Sequence, residues 1–426
     1  MIQAQRKVLV VYHGSYHQSL AIFDDYLSGI LTVYPDSRLL DYFELYLRYG
    51  AKGFNESIMA EVVEHGSELI FFLPSSGDLT LSAGLLEKLS EKACIVMNFF
   101  DSELFFERID RHYAQAAELV LVPSPASCLL YSAIGLKAHC TFSLFNPERY
   151  PHQKLEPSID VSFIGNVTKA GRRKYIDALK LKGIEVVACG YGTSAGIINH
   201  RQMVHLFNIT KINLNFTEVQ ESDLLIYARK GTPLTTQLKG RITEIALTGG
   251  FVLTEYATGL EEMYEIGKEI ETFHDMDELL QKIRYYLVHD TERRTIASLG
   301  RKRALQDHNS QTAFRHIATL LPDQNQRRRI NCDDEFIHNQ ANFPFYYFIH
   351  FVLCLKLAKA FYEIRYIRTI AQIDFRQAAH LGIRAFAAFL RKNNKLTSLY
   401  DSIKLSIVSK LKDKHRVKMV TTNINE

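Results

Sequence analysis

The sequence predicts an α/β protein of two lobes, each a parallel sheet wrapped by helices, with a basic helical extension behind them. Three observations carry this. Strand-length apolar runs alternate with helical patterns twice over. A polar stretch with three prolines, FNPERYPHQKLEPS at 145–158, separates the two series. Beyond Leu321 strand signals stop, and Lys, Arg, Phe and Tyr accumulate. The expected division is therefore 1–150, 151–322 and 323–426.

Each element follows from its composition. RKVLVVY (6–12) reads as a buried strand, followed by the loop GSYHQS and the amphipathic segment LAIFDDYLSGIL. ELIFFL (68–73), ACIVMNFF (93–100) and ELVLV (118–122) are further strands, each closed by a polar or Gly/Pro turn before a helical pattern. Such alternation builds βαβ units. The series restarts with IDVSFIG (159–165), the helix AGRRKYIDALKLKG, and IEVVACG (184–190). A helix near 201–208, the strand KINLNF (211–216), a loop reaching Pro233, a helix and the strand FVLT follow. Helices at 275–289, 291–306 and 308–320 close the second lobe.

Composition excludes several classes. An apolar share of 47% and a charged share of 23% are those of an ordinary globular protein with sizeable cores. The six cysteines, Cys94, Cys128, Cys140, Cys189, Cys332 and Cys354, show no CxxC and no zinc spacing, so a reducing compartment is expected and a structural metal is not. MIQAQRKVLVVYHG runs straight into a strand without a signal-peptide region, which points to a cytoplasmic location. No run reaches the length of a membrane-spanning helix. There is no P-loop lysine motif, HExxH or Ser/His/Asp order. Charge is uneven: residues 327–426 hold 18 Lys/Arg against 8 Asp/Glu, leaving 33 against 39 in the first 326 residues. A basic tail behind a mildly acidic body implies separate tasks.

The stretch QLKGRITEIALTGGFVLTE (237–255) is the most informative. Thr235 or Thr236 is expected to cap a helix that Gly249-Gly250 ends, with Ile242, Ile245, Ala246 and Gly249 on the face turned to the sheet. Lys239 and Arg241 stand at its start, where cations oppose the helix dipole. An anion bound there would reverse that cost, meeting free N–H groups, the dipole and two cations. Diphosphate is the obvious candidate, with Glu244 placed to accept from ribose hydroxyls. The plain alternative is a solvated first turn with Arg241–Glu244 as an i,i+3 pair.

Together with VSFIGN (161–166), GLEEMYEIGKEIETFHDMDEL (259–279) and RRTIASLGRKRALQDHNSQTAFRHI (293–317), this stretch resembles the C-terminal lobe of the GT-B glycosyltransferases, in particular the CgeB-like (spore-coat glycosyltransferase-like) group. The likeness runs through 159–320; the first lobe resembles the family through MNFFDSE and AELVLVPSPASCLLYSAIGLKAH. The resemblance implies two Rossmann-like lobes of GT-B type. It implies a metal-independent hexosyltransferase whose second lobe grips a nucleotide-diphosphate sugar as donor substrate, with no permanently bound cofactor. Retaining members often carry two glutamates eight positions apart here. Glu244 matches the second, but the earlier position is Thr236, so retention or inversion is left open.

Gly165 and Asn166, followed by Lys169, Arg172 and Arg173, lie where ligands meet the carboxyl end of a strand. Gly165 is expected to allow close phosphate approach, with Arg172 among the cations that reach it. GYGTSAG (190–196) has the spacing GxGxxxG, not GxGxxG, so a dinucleotide site is not expected; a plain flexible turn is favoured over a donor-base loop. A transferase must deprotonate its acceptor hydroxyl, and Asp101, after ACIVMNFF, is the first candidate base, with His13 and Asp78 as rivals. The acceptor class expected is a surface glycan or its lipid-linked precursor. The tail's aromatics sit inside apolar runs, which suits an anionic membrane surface contacted through residues 327–418 better than nucleic acid. A packed helical appendage is the plain alternative. Competing functions are a non-catalytic glycan- or partner-binding protein of the same fold and a nucleotide-sugar epimerase.

Overall fold

The computed structural model describes residues 6–12, 21–74, 81–142, 144–168, 171–219 and 235–322, all within the first of two compact units, residues 1–340. His13, Asp78, Lys169 and the basic extension from residue 323 lie outside the described residues.

The first lobe holds six parallel strands: β1 (Val8–Tyr12), β2 (Arg38–Asp41), β3 (Leu69–Leu73), β4 (Cys94–Asn98), β5 (Leu119–Val122) and β6 (Ala138–Cys140), in the order β2-β1-β3-β4-β5-β6. β3, β4 and β5 are buried throughout, because helices cover both faces of the sheet, and their sequences are correspondingly continuous apolar runs. β2 and β6 border the sheet, keep partial exposure and carry mixed composition, so the sequence shows no run at either.

The second lobe contains β7 (Ile159–Ile164), β8 (Val186–Cys189), β9 (Thr210–Asn215), the short antiparallel pair β10 (Glu218–Val219) and β11 (Thr235–Thr236), then β12 (Val252–Glu255) and β13 (Glu271–Phe273). Its main sheet is parallel, in the order β13-β12-β9-β7-β8. The β10–β11 ribbon corrects one expectation: Thr235 and Thr236 do not cap the next helix. Their backbones are committed to the ladder, Gln237 N donates to Thr217 O at 3.0 Å, and the helix Gly240–Leu247 starts behind Lys239, whose side chain makes no capping bond. Ile242, Ile245 and Ala246 are buried as their spacing predicts.

The chain crosses between lobes twice. Phe145 N donates to His308 O at 3.0 Å, and Ser310 N donates to Phe145 O at 2.9 Å, so the two crossings run side by side. The 145–158 stretch, read as a linker, is anchored by Phe145 and Tyr150, both buried. Behind the second crossing, the helix Ser310–Leu320 returns to the first lobe. Its Phe314 and Ile317 join the core formed by Phe23, Tyr26 and Ile30 of the helix Ala21–Val33. Gly29 permits this approach, since a Cβ there would lie 2.4 Å from Phe314 Cδ2 and 2.8 Å from Ser310 O. Among the described residues, no helix is long and apolar enough to cross a membrane.

Candidate functional site

All strands of the second lobe's main sheet point the same way, so their carboxyl ends and the start of the following helix share one edge. Gly165 and Asn166 leave β7 there, Gly190 leaves β8, and Phe216–Glu218 leave β9. Gly165 N donates to Cys189 O at 2.9 Å and Val167 N to Tyr191 O at 3.1 Å, locking the first two loops together. GYGTSAG is a built turn and not the plain flexible one expected. Gly190 N donates to Gly196 O at 2.6 Å, the Thr193 hydroxyl to Gly190 O at 2.8 Å, and Arg173 Nη2 to Gly192 O at 2.6 Å.

The guanidinium of Arg172 is buried and braces this edge from within. It donates to the carbonyls of Asn166 at 3.3 Å, Phe216 at 3.5 Å and Glu218 at 3.4 Å. Glu255 holds the same segment from the other side, accepting from Thr217 N at 2.8 Å and Glu218 N at 2.9 Å. Asn166 Oδ1 accepts from Thr168 N at 2.8 Å and from the Thr168 hydroxyl at 2.7 Å, which shapes the loop after β7.

At the helix Gly240–Leu247, Arg241 and Glu244 form the i,i+3 pair at 2.6 Å. The guanidinium also lies 2.6 Å from Met203 Sδ and 5.6 Å from the Phe207 ring centre, yet a quarter of the side chain stays exposed. Lys239 Nζ donates to Gln237 Oε1. The amide of Gln237 then reaches the first lobe, donating to Asp101 Oδ1 at 3.4 Å and Glu103 Oε2 at 3.1 Å. Glu103 Oε1 accepts from the hydroxyls of Ser124 at 2.6 Å and Ser127 at 2.9 Å. The structure thus joins Lys239 to Asp101 through one glutamine, and groups Arg241 with Glu244. Gly165, Asn166 and Arg172 stand on the same edge as that helix start. Glu103 and Gln237 are not among the residues that the sequence singles out. The only signal for Glu103 is its place two residues past Asp101, and for its serine partners the SPAS turn after β5.

Residues 168–319 match the model of the glycosyl transferase-like family. The structure is similar to that of Anabaena Alr3699/HepE in complex with UDP, with a TM-score of 0.53 and 15% identity over 74% of this chain and 99% of that one. The same protein in complex with UDP-glucose gives 0.51 and 14%, covering 74% and 100%. A glycosyltransferase from Rickettsia africae ESF-5 gives 0.51 and 11%, covering 76% and 100%. The chain has the GT-B fold. No curated protein matches it by sequence.

Next to Asp101 and Glu103, through Ser102, lies a buried acid. Asp110 accepts from the Ser102 hydroxyl at 3.1 Å, and that hydroxyl is 2.8 Å from the Tyr131 hydroxyl. Asp110 closes the π-turn Phe106–Asp110, and burial raises its carboxyl to about 8. Burial likewise raises Asp25 to about 7 and lowers His308 to about 4.

A pH dependence of stability follows. For each raised aspartate, the folded state keeps a proton that the unfolded chain has released, so stability falls with pH between the unfolded value near 4 and the folded one. His308 acts oppositely from its folded value of about 4 to its unfolded value near 6.5, because there only the unfolded chain is protonated. Each group contributes a slope of about 1.4 kcal/mol per pH unit. Just above pH 6.5, where His308 no longer offsets the two aspartates, these groups are expected to make stability fall most steeply with pH. Denaturant titrations of wild type and Asp110→Asn check this. The variant should lose about 1.4 kcal/mol per unit of that slope; parallel curves would show that Asp110 is ionised when folded.

Proposed function

We propose that the protein transfers a sugar from a nucleoside diphosphate donor, gripped by the second lobe, to a hydroxyl-bearing acceptor held against the first. The observation that carries this is the helix Gly240–Leu247. Its N-terminus, the cations Lys239 and Arg241, and Glu244 meet at the ligand edge of a lobe matching the glycosyl transferase-like family. There the diphosphate would displace the internal partners of Lys239 and compete with Glu244 for Arg241, while Glu244 would receive the ribose hydroxyls. Protein cations and the helix dipole stabilise a leaving diphosphate without a metal ion, which makes a metal-independent hexosyltransferase reading coherent. The bound UDP and UDP-glucose of the similar Anabaena structures favour a uridine donor. The sequence pattern favours the CgeB-like group. A cytoplasmic transferase resting on the membrane through its basic tail, with a surface glycan or lipid-linked acceptor, completes the proposal.

Across the cleft, Asp101 is the proposed base, and Gln237 holds it and Glu103 facing the donor helix. One observation favours a second reading, a non-catalytic binder: where retaining members carry their first glutamate, this chain has Thr236, and Thr236 is tied into β11. Incubation with several nucleotide sugars separates the alternatives. Release of free nucleotide supports a transferase, interconversion of sugars an epimerase, and neither supports the binder.

Donor binding gives the sharper test. Lys239→Ala and Arg241→Ala are each expected to weaken UDP binding by about 1.5–3 kcal/mol, the worth of a charge-assisted hydrogen bond. Calorimetry showing unchanged affinity in the double variant would refute the assignment of this helix.

A further inference from the structure

Tyr150 lies in the first crossing between the lobes and is 1% exposed. Its hydroxyl donates to Asp25 Oδ2 at 2.8 Å, on the first lobe's helix Ala21–Val33, and stands 3.4 Å from Glu244 Oε1 of the second lobe. The ring is fixed edge-on against Phe145 at 5.4 Å and His200 at 5.0 Å between centres. Asp25 is fully buried and held independently, accepting from Asn146 N at 3.1 Å and pairing with Arg149 at 3.2 Å. Arg149 also pairs with Asp24 at 3.1 Å.

Above pH 7, where Asp25 has released its proton, the phenol has one proton and two carboxylates to serve. Burial, and then the charges of Glu244 and Asp25, push the Tyr150 phenol far above its ordinary value, so it remains a donor. The proton turned to Asp25 leaves Glu244 held by Arg241 alone among these groups; turned to Glu244, it fixes one carboxylate oxygen and leaves the other to Arg241. Because the hydroxyl sits on the crossing, a change in the angle between the lobes alters both distances at once.

We propose that Tyr150 is a positioning residue for Glu244: its hydroxyl, shared between Asp25 of one lobe and Glu244 of the other, orients the carboxylate that receives the donor ribose and ties donor grip to the interlobe crossing. This rests on the reading of Glu244 as the ribose acceptor. Tyr150 touches neither donor nor acceptor in this scheme, so its effect must travel through Glu244 and depend on the ribose hydroxyls.

The test compares UDP with 2′,3′-dideoxy-UDP by calorimetry on wild type, Glu244→Gln, Tyr150→Phe and Asp25→Asn. Wild type should prefer UDP. Glu244→Gln should abolish most of that preference, and Tyr150→Phe should reduce it about three- to tenfold through UDP alone, leaving the dideoxy ligand unchanged. Asp25→Asn reports on the other side of the phenol: it should shift the preference while the dideoxy affinity stays constant. If Glu244→Gln keeps the full preference, the ribose reading fails and the proposal with it. If Glu244→Gln loses the preference but Tyr150→Phe keeps it, the ribose reading stands and the role of Tyr150 is overturned. Equal losses for both ligands in Tyr150→Phe, with a lowered melting temperature, would make Tyr150 a packing residue and also overturn it.

Discussion

Asp101→Asn is expected to lower turnover by about two to four orders of magnitude while leaving UDP affinity nearly unchanged, because a general base acts only in the transition state. Asp101 follows β4 at the carboxyl edge of the first sheet, and Gln237 brings it opposite the helix that carries Lys239. The substitution keeps the side chain's shape and an acceptor oxygen for Gln237, and removes the ability to take a proton. Glu103 is the control. One of its oxygens is held by two serine hydroxyls and the other by Gln237, so it reads as a holder of the cleft wall. Glu103→Gln should therefore cost less turnover than Asp101→Asn. Steady-state rates set beside calorimetric donor affinities check both. Full activity in Asp101→Asn would move the proton to Glu103, His13, Asp78 or the substrate itself.

What the sequence reveals of this molecule depends on how local the cause is. β3, β4 and β5 are legible because burial on both faces demands unbroken apolar runs. β13 is buried but only three residues long, too short to show a pattern, and β2 takes the mixed composition of a sheet edge. The helix Gly240–Leu247 is legible through its chemistry, since two cations at a helix start are unfavourable without an anion or a carboxylate partner. Its partners are not. Gln237 meets Glu103 across 134 residues, and Tyr150 meets Asp25 across 125. No periodicity encodes such pairs. The helix Ser310–Leu320 shows the same limit: its apolar face is plain in the sequence, but nothing local says that it packs on the first lobe. The spacing of the GYGTSAG turn fails the dinucleotide pattern. Its glycines answer a different demand, which the packing of two loops makes visible.

That demand gives the second large effect: Gly190→Ala is expected to destabilise the fold by about 3–5 kcal/mol and to weaken UDP binding. Gly190 has φ +125, a conformation that side chains other than glycine rarely adopt, and this strain alone costs about 1–3 kcal/mol. A Cβ there would also lie 2.2 Å from Gly165 O and 2.8 Å from Gly165 C. Both are backbone atoms, so no rotamer change relieves the clash, and the loop after β7 must move. That loop carries Gly165 and Asn166 on the proposed donor edge, which is why binding should suffer with stability. Gly196→Ala separates the two causes. Gly196 also has a positive φ, +68, but a Cβ there meets nothing within 4 Å, so it should cost only the backbone strain and spare UDP binding. Denaturant unfolding and calorimetry on the pair measure the difference. If Gly190→Ala is no less stable than Gly196→Ala and binds UDP as wild type does, the loops after β7 and β8 do not press together in solution, and the shape of the donor edge must be sought elsewhere.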